Sequence, residues 1–220
     1  MAFTLNQHGT INNAGSVITL GITLTGVLAG DLITVELGVN PAPTGVTVSD
    51  NVNTGNYYGA VPMSATNGTL PTSIGIFSFI NSKSGTITIT ANWTGAAAAT
   101  ISAQSWTPGA GNTVYVDYPM VEQNVSNLFR TTNPNAGASQ TPASNADLVI
   151  GYMVSQVHVP TAGTNYTLID TDATFLTWPE YWIQTSATAT NTPYTQVSDF
   201  WVCQMAGFSL FSSIYFIGHA

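Results

Sequence analysis

Through most of the chain, apolar and polar residues alternate one by one instead of recurring every three or four positions. In Ile33-Thr34-Val35-Glu36-Leu37 the aliphatic residues fall on one face and Thr34 and Glu36 on the other, the period-2 mark of a strand with one face buried. Thr86-Ile87-Thr88-Ile89-Thr90 repeats the pattern with its threonines outward. Further strands are predicted over 16–24, 74–80, 100–106, 113–118, 148–155, 181–186 and 200–209. Several of these are apolar on both faces, as central or interface strands are. Helix-forming runs are nearly absent, and Ala96–Ala99 is too short to nucleate a helix alone. Between the strands lie clusters such as Asn40-Pro41-Ala42-Pro43-Thr44-Gly45 and Thr107-Pro108-Gly109-Ala110-Gly111-Asn112, whose residues favour turns. Many short strands punctuated in this way predict an all-β chain, an antiparallel β-sandwich or jelly roll with very little helix.

The expected organisation is an N-terminal arm (1–16), one sandwich (17–210) and an apolar tail (211–220). The polar stretch Arg130 to Asn145 is the best candidate for a linker or long crossover, which leaves open two related half-sandwiches divided near 130–145. A faint echo spans it: Gly30-Asp31-Leu32-Ile33 is similar to Ala146-Asp147-Leu148-Val149.

Composition narrows the function classes. Of 220 residues only 5% are charged, against roughly 25% in an ordinary soluble domain. Two cations, Lys83 and Arg130, and a formal charge of −8 exclude a phosphate-neutralising nucleic-acid surface and argue against binding to anionic membranes. No window approaches the apolar length of a membrane helix. The start of the chain lacks the basic and apolar regions of a signal peptide. A mean hydropathy of +0.20 suggests that part of the outer surface is covered by neighbours.

The succession GDLITVEL, VTVSDNVNTGNYY, GTITITANW, NADLVIGYMVS, AGTNYTLID and FWVCQMAGFSL resembles β-sandwich modules of bacteriophage virion proteins and bacterial surface proteins. In those modules a strand opening Asp-Leu, a Gly-Asn-x-Tyr turn and an alternating strand are closed by a W-x-x-Q-M-x-x-F strand. That last motif stands here as Trp201, Gln204, Met205 and Phe208. The resemblance runs from Gly30 to Leu210. It implies a structural or adhesive module and carries over no catalytic residue.

Candidate chemistry is sparse. His8, His158 and His219 show no ligand spacing, so no metal site is expected. Cys203, the single cysteine, has no basic neighbour and reads as a core thiol. Nucleotide loops and the Gly-x-Ser-x-Gly elbow are missing. Glu122 and Glu180 are the most plausible of ten acids for glycoside hydrolysis, with no spacing rule joining them. Asp170-Thr171-Asp172 and Asp50-Asn51 offer oxygens to calcium but read more simply as turn formers. In Trp178-Pro179-Glu180-Tyr181-Trp182, Pro179 suggests a loop entering a strand. Glu180 and Trp182 would then share one face and Tyr181 and Ile183 the other. Core packing or subunit contact is the first reading of these aromatics. A glycan platform of Trp178, Tyr181 and Trp182 beside Glu180 is the alternative.

The functional expectation is a non-enzymatic virion structural protein of the capsid, decoration or fibre type. It would need no cofactor and would act by packing against copies of itself and other virion proteins. Phe211, Ile214, Tyr215, Phe216 and Ile217 are the candidate inter-subunit residues. The alternative is a carbohydrate-binding or adhesive module, extracellular or at a cell surface.

Overall fold

A computed structural model describes residues 2–55, 57–59, 63–67, 70–126, 131–143 and 147–212. No helix occurs among them. The strands are β1 (Thr4–Val27), β2 (Leu32–Asn40), β3 (Thr44–Asp50), β4 (Tyr58–Gly59), β5 (Met63–Asn67) and β6 (Leu70–Phe79), then β7 (Gly85–Thr107), β8 (Asn112–Ser126), β9 (Leu148–Ser155), β10 (Thr167–Leu168), β11 (Thr177–Ile183) and β12 (Trp201–Ser212). Two antiparallel sheets pack against each other as a β-sandwich. The first has the order β1-β7-β2-β6-β4, with β3 also paired to β7 and β5 to β6; the second has the order β10-β11-β9-β12-β8. Strands up to Thr107 build the first sheet and those from Asn112 build the second, so the change of sheet falls before the 130–145 stretch.

The first sheet has two layers of its own because β1 and β7 bend. The later half of β1 pairs with β7 over Gly85–Asn92, and its first ten residues pair with Ala99–Thr107. Register shifts between Asn13 and Thr19 mark the bend in β1, and Gly95, at φ 93°, sits at the matching place in β7. The Trp93 indole N–H donates to the Val17 carbonyl at 3.1 Å and staples the two bends together. The halves of β1 then face each other: a β-carbon on Gly9 would lie 3.6 Å from Ile22 Cδ1. Between the layers lies an aliphatic core that includes Leu20, Ile22, Ile33, Val35, Ile89 and Ile101. Residues 4–13, read from sequence as part of an arm, are thus the first half of β1.

A second core separates the two sheets. Leu32, Ile74 and Trp106 of the first sheet meet Ile150, Tyr152 and Phe208 of the second. Its presence corrects the reading of β2 as a half-exposed strand. Thr34 and Glu36 are fully buried, because the face opposite Ile33, Val35 and Leu37 is covered by the second sheet. The Thr86–Thr90 row does keep its threonines on the outer side, with Ile87 and Ile89 completely buried.

A third core lies on the far face of the second sheet. Val149, Met153, Trp178, Trp201, Cys203 and Met205 are roofed there by irregular chain that brings in Ala136, Tyr166 and Tyr194. Residues 131–143 belong to this roof and are pinned backbone to backbone at Thr131–Asp199, Ala136–Asn191 and Gln140–Thr190. They form an ordered crossover. The Asp-Leu echo also has a structural counterpart. Asp31 and Asp147 are both fully buried just ahead of β2 and β9, and the leucines after them enter the inter-sheet core.

Pro179 lies inside β11 instead of ahead of it. Its carbonyl accepts from the Ile169 N–H, and on a strand a residue's N–H and C=O share a side. The missing donor therefore points away from β9 and costs that ladder nothing.

Candidate functional site: an outer surface without exposed described carboxylates

The carboxylates identify what this surface lacks. Of ten acids, the side chain of Glu122 lies outside the described residues; of the other nine, none is exposed. Each described partner set is internal. Asp31 accepts from Asn6 Nδ2, the Leu28 N–H, Ser105 Oγ and Thr107 Oγ1 at 2.8–3.1 Å. Asp50 accepts from the N–H groups of Val52 and Asn53 and from the Tyr57 hydroxyl, which is turn chemistry. Burial alone would raise the Asp199 carboxyl, but the N–H groups of His158, Val157 and Phe200 hold it below the usual carboxylate range.

Asp170-Thr171-Asp172 joins the two sheets. Asp170 lies 2.8 Å from His8 Nδ1 and accepts from Gln104 Nε2 at 3.3 Å. Asp172 accepts from Asn12 Nδ2 at 2.8 Å, from Thr100 Oγ1 at 3.1 Å and from the Thr174 N–H at 2.8 Å. His8 and Asn12 on β1 and Thr100 and Gln104 on β7 thus close the seam between the sheets. Among the described residues, no group of three or more His, Cys, Asp or Glu side chains could hold a metal ion.

Behind this seam lies a polar centre within the inter-sheet core. Thr34 donates to Gln104 Oε1 at 2.7 Å, and the Trp106 indole N–H donates to Thr34 at 3.1 Å. The Ile76 N–H donates to Gln204 Oε1 at 2.9 Å, from one sheet to the other. Burial pushes the Glu36 carboxyl up to about 8, and the nearby Asp170 charge adds to the rise, so Glu36 is neutral at pH 7. A neighbouring cavity of about 190 Å³ is lined by Gly38, Asn40, Thr100, Ser155, Phe175, Thr177 and other neutral residues. It brings no acid, base and nucleophile together.

The aromatic segment divides as its alternation predicts, and its parts meet different surroundings. Tyr181 packs toward the inter-sheet core, its ring 4.9 Å from that of Trp106. Trp178 and Trp182 lie on the opposite face, under the roof. Trp178 is 4% exposed, donates from its indole to Ser155 Oγ, and accepts through its carbonyl from the Tyr194 hydroxyl. Trp182 is half-buried against Tyr166, ring centres 5.5 Å apart. Glu180 is fully buried, accepts from the Gly163 N–H at 2.9 Å, and is pushed by burial up to about 8. The four residues therefore present no common exposed face. Burial likewise pushes the Cys203 thiol far up, and it packs inside the third core.

Apart from Lys83, which is exposed, what the described exterior carries instead is neutral. Large apolar side chains stand out at Ile11, Ile18, Tyr115, Val157, Val159, Val197 and Phe211. Tyr115 and Phe211 meet edge to face at 5.4 Å, and Phe211 is 66% exposed. The other candidate contact residues, Ile214, Tyr215, Phe216 and Ile217, lie outside the described residues. Sequence reasoning missed the residues that join the sheets: His8, Asn12, Gln104 and Gln204. The available signal was Gln204, an amide within the largely apolar closing strand.

No family model matches the chain, and no curated protein or solved structure matches it at a significant level. The resemblance to virion and surface modules thus rests on the short motifs alone.

Proposed function

We propose that this chain is a structural subunit of a bacteriophage virion, of the capsid, decoration or fibre type, which acts by packing against copies of itself and against other virion proteins. One observation carries the assembly reading: every described carboxylate is turned to internal use, while the described exterior, Lys83 apart, presents neutral polar groups and single large apolar side chains. Neutral surface is covered at little desolvation cost. A protein that stays dispersed as a monomer ordinarily keeps mixed charge outside. The virion setting comes from the motif resemblance, and the role is mechanical, with no catalysis.

Sedimentation velocity on the full chain at micromolar concentration tests the assembly. The expected result is a trimer or larger species, and a monomer throughout that range overturns the reading. Antibody labelling in the electron microscope tests the setting. Label on purified particles from the source is expected, and particles free of label overturn it.

A further inference from the structure

We infer that the open edge of β1 is the contact through which this chain pairs with a second copy of itself, strand against strand. The inference rests on the self-assembly reading and names its surface and its partner. An edge strand displays unpaired N–H and C=O groups that template pairing with another strand. Proteins that avoid such pairing shorten the edge, interrupt it, or place charge and proline on it.

The other edges of this protein carry those devices. β4 and β10 are two residues each, and β5 is five. β8 contains Asp117, Pro119 and Glu122. β3 is interrupted by a register shift between Thr44 and Thr47, and its Val48 carbonyl is taken by the Tyr57 N–H. β1 is interrupted by register shifts at Leu5/Gln7, between Asn13 and Thr19 and at Leu24/Val27, and its Gly26 carbonyl accepts from Asn6, but it keeps two regular runs, Gln7–Asn13 and Thr19–Leu24, with neither charge nor proline on them. It runs for 24 residues, pairs with β7 alone among the described residues, and contains no Asp, Glu, Lys, Arg or Pro. Ile11 and Ile18 stand out from it at 44% and 58% exposure.

The partner must bring an equally open strand, and among the described residues the edge of that kind is β1 itself. Antiparallel pairing of β1 with β1 about a two-fold axis satisfies both edges reciprocally. The chain's charge of −8 opposes the approach of two copies, yet this contact brings no like carboxylates together. Each run borders a different layer of the first sheet, so a partner strand laid along one run extends the layer that run borders.

Ile11→Lys/Ile18→Lys and Ile11→Glu/Ile18→Glu variants of the full chain test this by sedimentation velocity, with far-UV circular dichroism to verify the fold. Like charges across paired strands repel, so each variant alone should associate at least about tenfold more weakly than wild type. A one-to-one mixture should recover association, because Lys then faces Glu. Should a double variant lose its strand signal, Ile18→Lys and Ile18→Glu, at the more exposed position, provide the same comparison. Variants that associate as tightly as wild type, or a mixture that fails to recover, overturn the β1 contact and leave self-assembly standing. A monomeric wild type overturns both.

Discussion

The backbone N–H of Ile76 in the first sheet donates to the side-chain Oε1 of Gln204 in the second, at 2.9 Å. Ile76 falls where β6 passes from pairing with β5 at Ile74 to pairing with β4 at Phe77, so a side chain from the facing sheet takes a bond that ladder partners serve on either side. Gln204→Leu keeps the bulk and removes the acceptor, leaving a buried donor unpaired. The expected cost is about 1–3 kcal/mol, or roughly 2–10 °C in Tm for a chain of this length. Calorimetry of the variant checks it, and an unchanged Tm would show that this bond does not help hold the sheets.

Stability should fall as pH rises from about 5 to 8. Glu36 and Glu180 are each raised from 4.5 to about 8 by burial. Their folded forms hold protons that the unfolded chain releases above about 4.5. Their neutral-form stability is therefore fully present below that pH, is lost toward 8, and levels off beyond. Asp199, held low, acts oppositely, and its contribution is lost only under stronger acid. A Tm series from pH 5 to 9 reads the slope directly. Glu36→Gln should flatten it and raise Tm at pH 8 relative to wild type, whereas a wild-type Tm that climbs over this window contradicts the placement of both acids.

The alternation of Ile33, Val35 and Leu37 was legible as a strand because period-2 spacing is a local property. Whether Thr34 and Glu36 faced water was not, since that depends on Gln104 and Tyr152, residues distant in sequence that the fold brings near. The Trp178–Trp182 segment shows the same division. Its two faces follow from parity, but the roof over one of them is built from 131–143 and the chain around Tyr194, which have no repeating pattern to read. The two-layered first sheet was hidden for another reason. The bends in β1 and β7 fall at small residues, Gly15 and Gly95, that equally well mark the ends of separate strands. The low charge was plain from composition, and its inward placement became visible only with the donors in view.

A methyl group at position 38 should destabilise the protein. A β-carbon on Gly38 would lie 2.8 Å from the Tyr152 hydroxyl oxygen, 3.2 Å from Thr100 Cγ2 and 3.4 Å from Thr177 Cγ2. Tyr152 is 1% exposed between the sheets, so its ring has little room to withdraw. Gly38→Ala is expected to cost about 1–3 kcal/mol by overpacking. Pairing it with Tyr152→Phe, which removes the crowding oxygen, should recover part of the loss. Denaturant titration of the two single variants and the double variant measures that coupling, and strictly additive losses would place the strain elsewhere.

Trp178 and Trp182 share a face of β11 but should respond differently to truncation. Trp178 is nearly enclosed, with its indole N–H bonded to Ser155 Oγ at 3.0 Å and its carbonyl bonded to the Tyr194 hydroxyl at 2.8 Å. Removing its ring opens a cavity beneath the roof and takes one donor from Ser155 Oγ, which keeps its own bond to the His158 carbonyl at 2.6 Å. Trp178→Ala should therefore cost about 3–5 kcal/mol. Trp182 is half-buried against the third core and packs edge to face on Tyr166, a contact worth about 0.5–1.5 kcal/mol beyond burial. Trp182→Ala should cost markedly less and leave the fold intact. Chemical denaturation of both variants under one set of conditions makes the comparison. Equal losses would mean that Trp182 is as tightly held as Trp178, whereas a large gap in the expected direction locates the core of the segment at its first tryptophan.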